Sequence, residues 1–142
     1  GVINLSVSDA ITQMITISHN YAAFLLIERT KIASTLSQTA ASEVAVFLEK
    51  LYKEAGEPIA LLKRQQLNEI TPKYLPENIE VAHKTGIIDT FDNDAGIVYG
   101  PKGDYIIVLL SESDDPPGAE ERMAKLSKAV YDYFNSQTNP GK

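Results

Sequence analysis

Apolar positions recur at helical spacing over roughly the first 70 residues and alternate from residue 79 onward. Ser6-Val7-Ser8-Asp9 places a hydroxyl at a cap position and an acid three residues later, ahead of the apolar-rich run Ile11-Thr12-Gln13-Met14-Ile15. This pattern predicts a short helix. Ser18-His19-Asn20 interrupts the run with residues that favour turns or caps. Tyr21 to Arg29 resumes it, with Ala22, Leu25, Leu26 and Arg29 at helical spacing, so the triplet sits at a junction between two helical segments. After the polar link Ser34 to Thr39, Val44, Phe47, Leu48 and Leu51 fall at i, i+3, i+4 and i+7 and share one helical face. Gly56 suits the end of that helix, Pro58 the first turn of another running to about Ile70, and Thr71-Pro72 its close.

From Ile79, the residues Ile79, Val81 and His83 alternate with Glu80, Ala82 and Lys84, as in a strand with two unlike faces. His83 and Lys84 therefore point to opposite sides. Ala95 to Tyr99 and Tyr105 to Leu110 are rich in β-branched and aromatic residues, and Gly100-Pro101-Lys102-Gly103-Asp104 between them is turn chemistry, which predicts an antiparallel hairpin. Met123, Leu126, Val130, Tyr133 and Phe134 then recur at helical spacing, predicting a terminal amphipathic helix over the sheet. The tail from Asn135 to Lys142 is polar and is expected to fray.

Size and charge narrow the possible functions. At 142 residues and 44% hydrophobic content the chain is expected to form a single domain, residues 1–142, with a helical part over 1–70 and a sheet with its terminal helix over 79–134. A net charge of -6 opposes nucleic acid and anionic lipid as partners, because neutralising phosphates takes a surplus of Lys and Arg. No apolar run approaches the roughly 20 residues of a membrane span. The absence of cysteine removes disulfides, thiolate metal sites and a Cys nucleophile from consideration. His19 and His83, with Asp89, Asp92 and Asp94, lack helical ligand spacing, and turn roles suffice for the aspartates, so neither a metal nor a cofactor is expected.

Two short motifs carry the candidate chemistry. Ser18 and Asn20 offer a hydroxyl and a carboxamide at a helix junction, where both can enter a cleft, although short Ser-x-Asn patterns are more commonly caps. Lys84-Thr85-Gly86 offers a cation, a hydroxyl and a position without a side chain at a strand end; together these can hold a carboxylate, although a lysine there is commonly just solvated.

The run from Leu5 to Ala23, containing Ser18-His19-Asn20, resembles the helix that carries the Ser-x-Asn motif of class A-like serine β-lactamases and penicillin-binding enzymes. His83-Lys84-Thr85-Gly86, followed by Asn93-Asp94-Ala95-Gly96-Ile97-Val98-Tyr99-Gly100-Pro101, resembles their Lys-Thr-Gly strand and the hairpin after it. The resemblance implies an α+β fold, an antiparallel sheet covered by a C-terminal helix with a helical subdomain beside it, and a site between the two parts. It implies that Ser18 passes protons near the β-lactam nitrogen, that Asn20 bonds the ligand's amide side chain, and that Lys84 and Thr85 bind its carboxylate. Gly86 would let the ligand lie close to the strand, and the backbone N–H of Ile87 would be one of two oxyanion donors. The implied ligands are a β-lactam or a D-alanyl peptide, and the implied location is extracytoplasmic.

Departures from the family pattern are equally specific. No serine in the chain has a lysine three residues later, so the Ser-x-x-Lys nucleophile has no counterpart, and only Gly1 to Ile17 stand ahead of Ser18. Neither Glu28 nor Glu43 is placed to replace the glutamate that activates the deacylating water. His19 and Ile87 replace residues more usual in the family. The expectation is a β-lactamase-like serine hydrolase of which this chain supplies the ligand-binding motifs, inactive alone, with a homo-oligomer or a companion fragment completing the sheet. A noncatalytic binding module, a D-alanyl peptide transpeptidase or carboxypeptidase fragment, and a structural interaction domain stand as alternatives.

Overall fold

The computed structural model describes residues 5–19, 22 and 39–136. Among them the elements run α1 (Val7–Thr16), α2 (Ala41–Glu54), α3 (Glu57–Leu62), β1 (Val81–Ile88), β2 (Phe91–Gly100), β3 (Gly103–Glu112) and α4 (Pro116–Ser136). The strands form one antiparallel sheet in the order β1-β2-β3. This is the α+β architecture the sequence predicts. Asn20, Tyr21, residues 23–38 and residues 137–142 lie outside the described residues, and with them the helical run expected around Leu25, Glu28 and Arg29 and most of the polar link before Thr39.

The starts of α1 and α2 have local causes. Ser6 accepts a hydrogen bond from the Asp9 N–H at 3.0 Å, satisfying one of the first-turn donors that have no partner within α1. Glu43 does the same from inside α2, accepting the Ala40 N–H at 3.1 Å and the Thr39 hydroxyl at 3.0 Å. Those two donors hold its carboxyl below the ordinary glutamate value. α3 ends at Leu62, well short of Ile70, because Gln65 turns the chain back onto α1.

The sheet buries both faces. Val81, Val98, Tyr105, Ile107 and Leu109 pack with Ile70 against Met123 and Tyr131 of α4. On the other face Ala82 and Ile97 pack against Ile59 and Leu62 of α3, joined by Ile15 of α1 and Leu51 of α2. Register fixes this division, since Val81, Val98 and Tyr105 lie side by side across the strands, as do Ala82, Ile97 and Ile106. Gly96 is imposed by the same packing. A Cβ there would lie 2.5 Å from the Cβ of His83 and 2.6 Å from the carbonyl oxygen of Ala82.

Several sequence expectations are corrected. Phe47 is exposed although Leu48 beside it is buried, and α4 turns Ala119, Met123, Ala124, Ser127 and Tyr131 inward while leaving Leu126, Tyr133 and Phe134 largely exposed. Small residues, Ala119, Ala124 and Ser127, allow α4 to approach closely, and the Ser127 hydroxyl donates to the Thr71 carbonyl at 2.8 Å. Asp92 and Asp94 are not turn residues. Both lie in β2 and both are fully buried, while the turn is left to Asp89 and Thr90, with Asp89 at φ 51°. Asn135 remains helical and donates from its side chain to the Tyr131 carbonyl at 2.7 Å. No described helix is long and apolar enough to cross a membrane.

Candidate functional site

Ser18 emerges from the end of α1, and the end itself is capped by the loop after α3. The Gln65 side chain donates to the Ile15 carbonyl at 2.8 Å, and the Gln66 N–H donates to the Thr16 carbonyl at 2.8 Å. Two of the helix's last carbonyls are thereby satisfied from a segment some 50 residues away in sequence. Gln65 is itself fixed, because its carbonyl oxygen accepts the N–H groups of Gln66 and Leu67. Past this cap the chain turns sharply, with Ser18 at φ 51°, in the left-handed region that side-chain-bearing residues seldom occupy. His19 then accepts the Ala22 N–H on Nδ1 at 3.1 Å, a capping role.

Lys84 reaches the same place from β1. Its ammonium donates to the Ser18 hydroxyl oxygen and to the Thr85 carbonyl. The Ser18 and Thr85 hydroxyls lie 3.1 Å apart. Lysine is a donor only, so it occupies a lone pair of Ser18 and leaves the serine proton free to be given on. Lys84 forms no ion pair with any described carboxylate, and its half-burial pushes its pKa below the ordinary lysine value, with the nearby Asp94 charge pulling partly back.

Asp94 belongs to a buried network beneath the strand. It lies 2.9 Å from Nδ1 of His83 and accepts the Thr71 N–H at 3.0 Å, while Nε2 of His83 lies 3.1 Å from the side-chain oxygen of Asn68. This network locks β1 to the 68–71 segment, so the backbone that carries Lys84 and Thr85 is held from behind. Asp92, two residues before Asp94, is buried with neither carboxyl oxygen hydrogen-bonded. Among the described residues no group of three or more His, Cys, Asp or Glu side chains is arranged to hold a metal ion.

Ser18, Lys84, Thr85, Gly86 and Ile87 line one cavity of about 530 Å³. A Cβ built on Gly86 would meet only the Cβ of Asn93, at 3.9 Å, so packing does not require glycine there. Asn20 lies outside the described residues. Sequence reasoning missed Gln65, Asn68, Asp94 and the further lining residues Met14, Leu67 and Asn93. For Asp94 a signal was present: it shares the two-residue alternation of β2 with the core residues Gly96 and Val98.

The profile of the Beta-lactamase enzyme family matches residues 2–134. Among solved structures, a representative of class A beta-lactamase from Bacteroides cellulosilyticus shares 25% identity over 95% of this chain at a TM-score of 0.81. A beta-lactamase from Sphaerobacter thermophilus shares 20% identity over 96% of the chain at a TM-score of 0.79. An acyl-enzyme complex of a PBP-A variant with penicillin G shares 23% identity over 94% of the chain at a TM-score of 0.78. The chain spans 66% of the length of the first two and 63% of the third. None of the curated proteins compared with the chain matches it. The family match, covering nearly the whole chain, and the class A fold it shares over the described strands and helices identify this chain as a member of the beta-lactamase enzyme family.

Proposed function

We propose that the chain carries the carboxylate-binding and proton-relay part of a serine acyl-transfer site, with a β-lactam or a D-alanyl peptide as ligand. One observation carries the reading: an ammonium without a carboxylate partner among the described residues and two hydroxyls converge on one cleft, Lys84 with Ser18 and Thr85. A ligand carboxylate supplies the missing charge, accepting from Lys84 and Thr85. In the reaction a serine oxygen bonds the amide carbonyl carbon and the C–N bond breaks. Ser18 hands its proton to the departing nitrogen and receives in return, through Lys84, the proton that the attacking serine gives up. Asn20 bonds the acyl side chain, and the backbone N–H of Ile87 faces the developing oxyanion, where one such donor is worth about 3 kcal/mol. Gly86 keeps the strand surface low enough for the ligand to lie along it.

In this reading the attacking serine lies outside the sequence, since no serine here is followed three residues later by lysine. The chain then works as a single domain that a companion piece or a second copy completes, on the extracytoplasmic side of the membrane. The same absence favours a second reading, a noncatalytic module that binds such ligands without cleaving them. Intact mass of every polypeptide in the sample, before and after incubation with penicillin G, separates the two. An adduct on a companion chain supports acyl transfer, and binding without any adduct supports the module. An adduct on this chain refutes the assignment of the nucleophile. In either case Lys84→Ala is expected to weaken binding about tenfold or more, the loss of one charge-assisted contact; unchanged affinity would remove the carboxylate site altogether.

A further inference from the structure

Behind the cleft, on the face of β1 opposite to Lys84, lies a histidine with an acceptor at each ring nitrogen. Nδ1 of His83 is 2.9 Å from one Asp94 oxygen and 3.1 Å from the other, and Nε2 is 3.1 Å from the Asn68 side-chain oxygen. A neutral imidazole carries one N–H and serves only one of two such acceptors; an imidazolium carries two and serves both. The His83 side chain is 1% exposed and that of Asp94 0%, so water offers neither a substitute, whereas Asn68 is exposed and can leave its amide nitrogen to solvent. Gly96, opposite His83 in register, has no side chain to crowd the ring, and a Cβ there would lie 2.5 Å from that of His83.

The position of Asp94 decides what that ring charge does. Asp94 pairs with Thr85 across the strands, about 5 Å away between Cα atoms and on the same face, and its charge acts on Lys84. An uncompensated carboxylate there would compete with an incoming anion for the ammonium and for the Thr85 hydroxyl. His83 and the Thr71 N–H occupy its oxygens instead, and the Thr85 hydroxyl lies against Ser18. Among the described residues the other buried titratable side chains on this side of the sheet are Asp92, Tyr105 and Tyr131, none of them basic. We propose that His83 is a positioning residue of the cleft: as an imidazolium held between Asp94 and Asn68, it cancels the Asp94 charge and leaves Lys84 and Thr85 to a ligand carboxylate. The inference rests on the carboxylate-capture reading above and adds a residue that acts on the ligand through Asp94 without touching it.

Nitrogen NMR of the full chain with isotope-labelled histidine reads the ring charge directly; there are two histidines, and His83→Asn assigns their signals. Both ring nitrogens of His83 are expected to be protonated at neutral pH. A neutral ring, with the Asn68 amide turned to donate to Nε2, would overturn the inference on the parent protein alone, whether or not a variant folds. Calorimetry with benzylpenicillin reads the consequence for the ligand. His83→Asn keeps a donor for Asp94 and loses the charge, so it is expected to weaken binding about tenfold, the effect of a unit charge acting through a short stretch of protein. Adding Asp94→Asn removes the charge left behind and should restore most of the affinity. A merely structural role gives the reverse, a double variant that binds no better than the single one; that result would overturn the inference, while Lys84-dependent binding by the parent would keep carboxylate capture standing. A parent that does not bind benzylpenicillin would overturn capture and the role of His83 with it, even with a doubly protonated ring.

Discussion

Lys84 and Ser18 are each held in a condition that has a measurable consequence. Burial holds the free Lys84 pKa below the ordinary lysine value of 10.5, so the empty cleft begins to lose its positive charge at a lower pH than a solvated lysine would. A bound carboxylate favours the charged form, so ligand affinity should decline on the alkaline side before pH 10.5, and Lys84→Arg, which stays charged, should flatten that decline even if it binds more weakly. Affinity profiles of the two proteins between neutral and alkaline pH check this; parallel profiles would refute it. The sign for stability is the reverse of a salt bridge. A lysine whose folded pKa is depressed binds fewer protons folded than unfolded, so its contribution to stability rises with pH across that window. Ser18 is constrained by its backbone instead. At φ 51° glycine is less strained than serine, but Ser18→Gly also removes the hydroxyl that accepts from Lys84 and lies 3.1 Å from that of Thr85, so the fold is expected to keep its stability to within about 1 kcal/mol while losing the relay hydroxyl. Thermal melting and penicillin binding, measured on the same variant, should both stay near the parent's values, and a loss of binding would place Ser18 among the binding groups.

At the scale of elements, the parts legible in the sequence were those set by short-range chemistry. The Ser6 cap and the turn at Pro101 and Lys102 each depend on residues a few positions apart, and each appears where the pattern places it, while β1 begins at Val81 rather than Ile79 and buries residues of both faces. What the pattern misplaced depends on distant partners. Asp94 looks like a turn residue until Thr71 and His83 are brought to it, and α3 looks longer until Gln65 is seen to have left the helix for α1. Leu126, Tyr133 and Phe134 read as core by spacing, yet the smaller Ala119, Ala124 and Ser127 win the buried stripe because α4 lies close to the sheet. The candidate site divides likewise: Ser18 and Lys84 were found by motif, whereas the cap that aims Ser18 has no motif. Gln65→Ala would leave the Ile15 carbonyl and the N–H groups of Gln66 and Leu67 without their partner, at a cost of about 1–3 kcal/mol for buried groups left unpaired. Denaturant unfolding measures that loss, and Gln65→Glu, which keeps the acceptor and loses the donor, should lie between the alanine variant and the parent.

For the molecule as a whole, the governing feature is a three-stranded sheet whose outer strands, β1 and β3, have no neighbouring strand among the described residues. Such edges are templates for pairing. The exposed Leu110 on β3, and Tyr133 and Phe134 on α4, with Phe134 stacked on Tyr105 of β3 at 4.7 Å, add apolar surface along one of them. The sample is expected to sediment as an oligomer or with a companion polypeptide, and a monodisperse monomer at micromolar concentration would overturn that expectation. The two edges differ in one respect, since the candidate site lies along β1 and not along β3. Assembly through β1 and ligand capture would compete for the same row of backbone groups, while assembly through β3 would leave capture untouched. Titrating ligand into a sedimenting sample therefore turns the ligand into a reporter of quaternary geometry: species that dissolve on addition were joined at β1, and species indifferent to it were joined elsewhere.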